Sequence, residues 1–380
     1  MRLPAIAVLA TASLALGGAA STLATCGPFT DTANDAFCPA VLEIFTLGIT
    51  TGTTPTTFSP GDNVTRLQMA TFLSRTVDGV LKRASPRVIS GQFWTPNNAA
   101  GVTTLAGANP IGVQSDGADV WTANSGNHTV SRVRASDGKI LETWTGAIFP
   151  WDVSLARGRV VLTGSGGALY QIDPREAAGS VTTVSTALGV LTYGIAFDGS
   201  RYWTVSNTGS VSIVTPASSP PWTVTTVTTG FSSPRGVLYD GANTWVTEDI
   251  GKLHKLDSSG AILQTLTFSS GGGSPAFDGT NLWVPLGGDG LAVVRASSAA
   301  LLATLTGNGL NSPFSAAFDG QRVLVTNFSG GSVSLWKAAD MTAAGSFPIG
   351  SQPRGACSDG LNFWVTLHGV ISPPGGLARF

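Results

Sequence analysis

One phrase constrains this chain more than any other feature. Residues 197–207 read FDGSRYWTVSN, an Asp-Gly turn that runs into a strand carrying a tryptophan. From residue 101 onward the phrase recurs, with its turn glycine at Gly117, Gly158, Gly199, Gly241, Gly279, Gly320 and Gly360. The intervals are 41, 41, 42, 38, 41 and 40 residues. Asp precedes six of the seven glycines, the exception being Arg157. Four residues after each glycine stands Trp121, Leu162, Trp203, Trp245, Trp283, Leu324 or Trp364. Composition alone does not produce seven copies in register.

A period of about 40–45 residues with several short strands per copy is a β-propeller signature. Each unit reads as four strands. The first, such as GIAF, is short and small-residued because it runs beside a crowded axis. The Asp-Gly turn leads to a second strand such as RYWTVS, a third such as SVSIV and an outer Thr/Val strand such as TVTTV. The recurring Trp alternates with polar neighbours, so it lies on one face of its sheet and fills the gap between blades. A lone blade cannot bury that face, so the blades must stack and close. The last unit, Pro353–Phe380, has room for only three strands. Its missing outer strand stands ahead of the first unit as GVTTL, Gly101–Leu105. The expected fold class is therefore all-β, a seven-bladed β-propeller over residues 101–380, closed by an N-terminal outer strand.

Only 11% of the residues are charged, less than half the globular norm of about 25%. The net charge of −1 gives no basic footprint for nucleic acid and no polybasic patch for a membrane surface. Residues 1–24 read as a secretory signal: one Arg, an apolar run from Ile6 to Leu16 too short to span a bilayer, then small residues, with cleavage after Ala20 or Ala24. No later segment approaches 18 uninterrupted apolar residues, so no transmembrane segment is expected once the signal is removed. Of the three cysteines, Cys26 and Cys38 are close enough for a disulfide in an exported protein. LATC ending at Cys26 also fits a lipoprotein signal, with Thr25 where Gly, Ala or Ser is usual. Cys357 falls in a strand pattern, as a small buried apolar residue does.

Residues 26–83 differ from the rest. Phe37, Val41, Ile44 and Leu47 have helical spacing, and GITTG stops that helix. Pro60 and Gly61 then make a turn. Thr65 is placed to cap a second helix, whose apolar face includes Leu67, Ala70, Phe72, Leu73 and Val77. A helical unit this small gains from a disulfide. Residues 84–100, rich in Pro, Asn and Ala, read as a linker.

Residues of this unit resemble the S-layer homology (SLH) domain: Phe29 and Asp31 of FTD, the first helix with its GITTG turn, Phe58 and Pro60 of FSP, and VTRLQMATFLSR. Thr65-Arg66-Leu67-Gln68 stands where that family has Thr-Arg-Ala-Glu, so the acid is replaced by Gln68, and one copy is present where wall anchoring usually uses three. The resemblance implies attachment to a cell-wall glycan, with Arg66 as the residue for an anionic sugar. The second strands WTAN, WTVS, WVTE, LVTN and WVTL resemble the YVTN and NHL families of secreted bacterial propellers.

No nucleophile elbow, P-loop, zinc signature or EF-hand is legible, and no cofactor is expected. The Gly-rich stretches at 164–167 and 269–274 read as flexible turns rather than phosphate cradles. In a propeller the outer-to-inner loops and the second-to-third-strand loops share one face, the default ligand surface. The first set should supply Trp151, Asp152, Tyr193, Arg235 and Arg354. The second should supply Asn124, Asn207, Glu248, Asp249, Asp289, Asn327 and His368. His128 and His368 fall in such loops of units that become neighbours on closure. WVTEDIGKLHKL resembles the streptogramin lyase repeat, but His254 lies within a third strand away from the axis, so no catalytic residue carries over. The expectation is an exported, envelope-associated binding or scaffold protein that is not an enzyme, whose partner is cell-wall polysaccharide or another envelope protein. A lyase-like propeller enzyme is the alternative.

Overall fold

The computed structural model describes residues 28–32, 36–46, 49–84, 103–104, 107–350, 352–371 and 374–380. The expected signal segment, Cys26, Leu47 and the linker from residue 85 lie outside them. The chain divides into two compact units, 1–83 and 84–380.

In the smaller unit, α1 spans Cys38–Thr46 and α2 spans Arg66–Ala84. Asp31 ties the FTD and FSP segments together: its carboxylate accepts from the backbone N–H groups of Phe58 at 2.9 Å and Ser59 at 2.6 Å. Those donors hold its carboxyl below the usual range. Phe29 is fully buried against Phe45, at 5.2 Å, and Phe58, at 5.7 Å, with Cys38 and Val41 beside it. Cys38 is disulfide-bonded. Thr65 and Gln68 form a reciprocal capping box: Gln68 Oε1 accepts from Thr65 N–H at 2.9 Å, and Gln68 N–H donates to Thr65 Oγ1 at 3.2 Å. The Gln that departs from the family motif thus keeps its capping role. The apolar face expected on α2 is not buried. Leu67, Leu73 and Val77 are exposed, because the core closes on Phe29, α1 and the Phe58 segment; of the residues expected on that face, Phe72 is partly buried.

The larger unit is seven antiparallel four-stranded sheets. In sequence the blades cover residues 110–145, 150–185, 192–227, 234–267, 276–306, 313–348 and 353–379. The seventh takes its outer strand from the other end of the unit, with Thr103 opposite Ala378 and Thr104 opposite Leu377. The ring closes as the sequence implies.

The recurring phrase has a chemical reason. Asp240 Oδ1 accepts from the N–H groups of Ala242 and Asn243, at 2.8 and 2.7 Å, while Oδ2 accepts from the Trp245 indole at 2.7 Å. One carboxylate therefore fixes both the turn and the tryptophan that fills the blade interface. The same indole bond joins Asp198 to Trp203, Asp278 to Trp283 and Asp359 to Trp364. Blade 2 breaks the pattern. Strand pairing places Arg157, at φ 55°, where the other blades have the turn glycine, and Gly158 one position later. Val161, not Leu162, then occupies the tryptophan position.

A threonine staples neighbouring blades. Thr247 Oγ1 accepts from Gly236 N–H at 3.0 Å and donates to the Gly273 carbonyl of the next blade at 2.8 Å. Thr163, Thr326 and Thr366 do the same toward Tyr193, Arg354 and Ile111. The inner strands run close together: a Cβ on Gly273 would lie 2.1 Å from the Phe314 carbonyl oxygen, and one on Gly355 2.2 Å from that of Ile111. Residues 271–274 of the Gly-rich stretch are thus closely packed inner wall rather than a flexible turn.

Candidate functional site: the mouth of the propeller channel

The inner strands enclose a channel cavity of about 410 Å³. In register, the second inner-strand position of the successive blades is Ile111, Trp151, Tyr193, Arg235, Gly273, Phe314 and Arg354, and the third is Gly112, Asp152, Gly194, Gly236, Ser274, Ser315 and Gly355. Small residues dominate the third ring because the inner strands nearly touch there. Asp152 alone in that ring carries a charge.

The second ring is built differently. Trp151 and Tyr193 stack at 4.2 Å with their planes 24° apart. The Arg235 guanidinium lies 4.8 Å from the Phe314 ring centre. The Arg354 guanidinium lies 5.3 Å from the same ring, 5.6 Å from Trp151 and 5.2 Å from Phe328. Side chains of blades 2, 3, 4, 6 and 7 therefore converge at one end of the channel, joined by aromatic stacking and cation–π contacts. Arg235 also donates to Asp249 at 2.9 Å, and Asn207 donates to the other Asp249 oxygen at 2.8 Å. The two sets of loops meet on one face, as the sequence reading requires.

Three residues assigned to that face are not on it. Asn124, Glu248 and Asn327 are fully buried, because each is the last residue of a second strand and points between sheets. The Asn124 amide donates to Thr129 and Ser131, at 3.2 and 3.0 Å, and Asn327 repeats this with Ser332 and Ser334. Glu248 Oε1 accepts from Ser232 N–H at 2.6 Å, and Oε2 lies 3.5 Å from His254 Nε2. The His254 Nδ1 pairs with Thr265 Oγ1 at 2.9 Å. Burial pushes that imidazole below its usual range despite the carboxylate beside it. Asp289 caps the loop at Ser312, accepting at 2.8 Å. His128 turns toward blade 2, accepting from Phe149 N–H at 2.9 Å, and His368 Nδ1 faces Gln352 Oε1 at 3.4 Å. Among the described residues, no three or more His, Cys, Asp or Glu side chains group where they could hold a metal ion.

Electrostatics single out two mouth residues. Burial pushes the Arg354 guanidinium down to about 10, with like-charge repulsion from Arg235 adding to it. Burial pushes the Asp152 carboxyl up to about 6, against hydrogen bonds from the N–H groups of Val153 and Ile195. Burial and then the Arg354 charge push the His368 imidazole down to about 4.

The sequence reading missed Phe314 and Phe328. Phe314 lies six residues before its turn glycine, as do Arg235, Tyr193 and Arg354 before theirs, so the register that located the tryptophans would have found it. Nothing in the sequence marks Phe328.

Comparison with known proteins separates the two units. Residues 28–70 match the family model of the S-layer homology domain. The SLH domain thus lies in the unit whose Asp31 staple and capping box are described above. The propeller is similar to solved structures of low sequence identity. One is the β-propeller domain of Myceliophteria thermophila Cps50 (Swd1), at TM-score 0.60 and 11% identity, covering 74% of this chain and 99% of that one. Another is a streptogramin B lyase, at TM-score 0.59 and 14% identity, covering 73% and 95%. A third is Kuenenia stuttgartiensis hydrazine synthase, at TM-score 0.62 and 13% identity, covering 76% and 99%. At these identities the likeness is one of fold alone. No curated protein sequence matches the chain. The SLH domain points to the cell surface, and among the described residues no helix is long and apolar enough to cross a membrane.

Proposed function

We propose that this is an exported cell-surface binding protein, attached through its SLH domain to a cell-wall polymer or another envelope component, with the channel mouth of the propeller as its ligand site. The observation that carries the reading is the convergence of Trp151, Tyr193, Arg235, Phe314 and Arg354 from five blades at one end of the channel, where Trp151, Arg235 and Phe314 line the cavity and Tyr193 and Arg354 pack against them. Apolar faces with a few convergent polar groups are how binding sites are built. On the SLH domain, Arg66 is exposed in the first turn of α2, free to meet an anionic sugar while Thr65 and Gln68 hold the turn.

A lyase-like chemistry would need Glu and His to converge at the channel axis. The Glu248–His254 pair is instead sealed inside blade 4, with 0% and 2% of the side chains exposed, and lends that reading no support.

The test is sedimentation of the full chain with purified cell wall, combined with retention of a solubilised wall digest. Arg66→Ala should release the protein from the wall. The double variant Trp151→Ala, Tyr193→Ala should still sediment but lose the digest. Equal sedimentation by Arg66→Ala overturns the anchoring half, and equal retention by the double variant overturns the mouth as the ligand site.

A further inference from the structure

Two guanidinium groups face the mouth, and only one has a counter-ion. Arg235 is neutralised by Asp249 at 2.9 Å. Arg354 lies among the rings of Trp151, Phe314 and Phe328, and among the described residues no carboxylate pairs with it. Its Nε is buried without a hydrogen-bond partner. Ring faces attract the cation but accept few of its N–H groups, so the planar fork, the part of arginine suited to a carboxylate, goes unused.

We propose that the channel mouth takes a carboxylate-bearing ring compound of the acidic-sugar class, free or as a unit of a polymer, with its carboxylate on Arg354 and its ring on the stacked Trp151–Tyr193 pair. This rests on the reading of the mouth as the ligand site and specifies what enters it. One unpaired guanidinium balances a monoanion, whereas a phosphate, at nearly two charges, would need a second free cation that Asp249 has already taken. Trp151 and Tyr193 are each only partly buried, which leaves the stacked pair a surface for a saccharide face. Deeper in the channel, Asp152 lines the cavity. Its carboxylate opposes a second anion there and can accept from sugar hydroxyls, so the ligand is oriented acid-outward.

The experiment is calorimetric titration of the full chain with D-glucuronate, glucose and inorganic phosphate. Glucuronate should bind at least tenfold more tightly than either of the others, and Arg354→Met should weaken it at least tenfold. Glucose binding as tightly as glucuronate, phosphate binding more tightly, or an unchanged affinity in Arg354→Met overturns the assignment. Should that variant not fold, phenylglyoxal labelling of the unaltered protein decides. Glucuronate should slow adduct formation at Arg354 and leave Arg175, 74% exposed, unaffected; no protection of Arg354 overturns the proposal. A wall digest that occupies the Trp151–Tyr193 face while glucuronate does not bind removes the acidic-sugar class alone. A digest that occupies neither Trp151 nor Arg354 removes the mouth as well.

Discussion

The Thr366 hydroxyl of blade 7 donates to the Ile111 carbonyl oxygen of blade 1 at 2.7 Å. Its oxygen also accepts from Gly355 N–H at 2.9 Å. This bond and the pairing of Thr103–Thr104 with blade 7 join residues from opposite ends of the ring. They act on different layers, the first beside the axis and the second at the rim.

Both closures are measurable. Deleting residues 101–105 exposes a sheet edge and leaves one blade a strand short, and should lower the melting temperature by ~5 °C or more. Thr366→Val keeps the shape but leaves a backbone N–H and a carbonyl without their partner, at a cost of ~2–3 kcal/mol. Urea denaturation measures it. Unchanged melting of the deletion would contradict closure by the N-terminal strand.

The Asp–Trp bond gives an internally controlled comparison. In blade 4, Asp240 serves both the turn and the Trp245 indole. In blade 1, Asp116 caps the turn, but the Trp121 indole N–H is buried without a partner. Asp240→Ala should therefore cost ~1 kcal/mol more than Asp116→Ala, the worth of one net hydrogen bond. Equal losses in urea would show that the indole bond adds nothing.

Asp152 sets a pH dependence whose sign follows from its raised value. The folded state binds this proton more tightly than the unfolded state, whose carboxyl titrates at 3.8, because the folded value is about 6. The group's contribution is fully present below pH 3.8 and is lost as the pH rises through about 6, a difference of roughly 3 kcal/mol at most. Asp152→Asn has no such titration. Its stability relative to the unaltered protein should rise between pH 4 and pH 7, as read from paired thermal melts. A constant difference across that range would mean that Asp152 titrates normally.

The periodic features were the legible ones. The turn aspartate and the tryptophan recur in most blades because those blades use the same turn and the same filler, so number of blades, register and closure could be counted along the chain. The second-strand termini misled because their polar identity suggested solvent. Asn124 and Asn327 instead donate to Ser and Thr hydroxyls on the adjoining third strand, and Glu248 Oε1 accepts from two backbone N–H groups while Oε2 faces His254, partners that a linear reading does not bring together. The mouth was half legible. Trp151, Tyr193, Arg235 and Arg354 follow from register, but the convergence of Arg354 on Trp151, Phe314 and Phe328 depends on side chains reaching across the ring. The exposed face of α2 had the right period for burial, and periodicity does not say whether a partner surface is present.

The central claim is that the propeller binds at this mouth, and amide hydrogen exchange on the full chain tests it most directly. With a solubilised cell-wall glycan digest added, protection should rise at the inner-strand starts around Trp151, Tyr193, Arg235, Phe314 and Arg354, and stay unchanged in the outer strands at 223–227 and 300–306. Protection confined to the SLH domain or to the outer strands, with none at those five positions, would contradict the account.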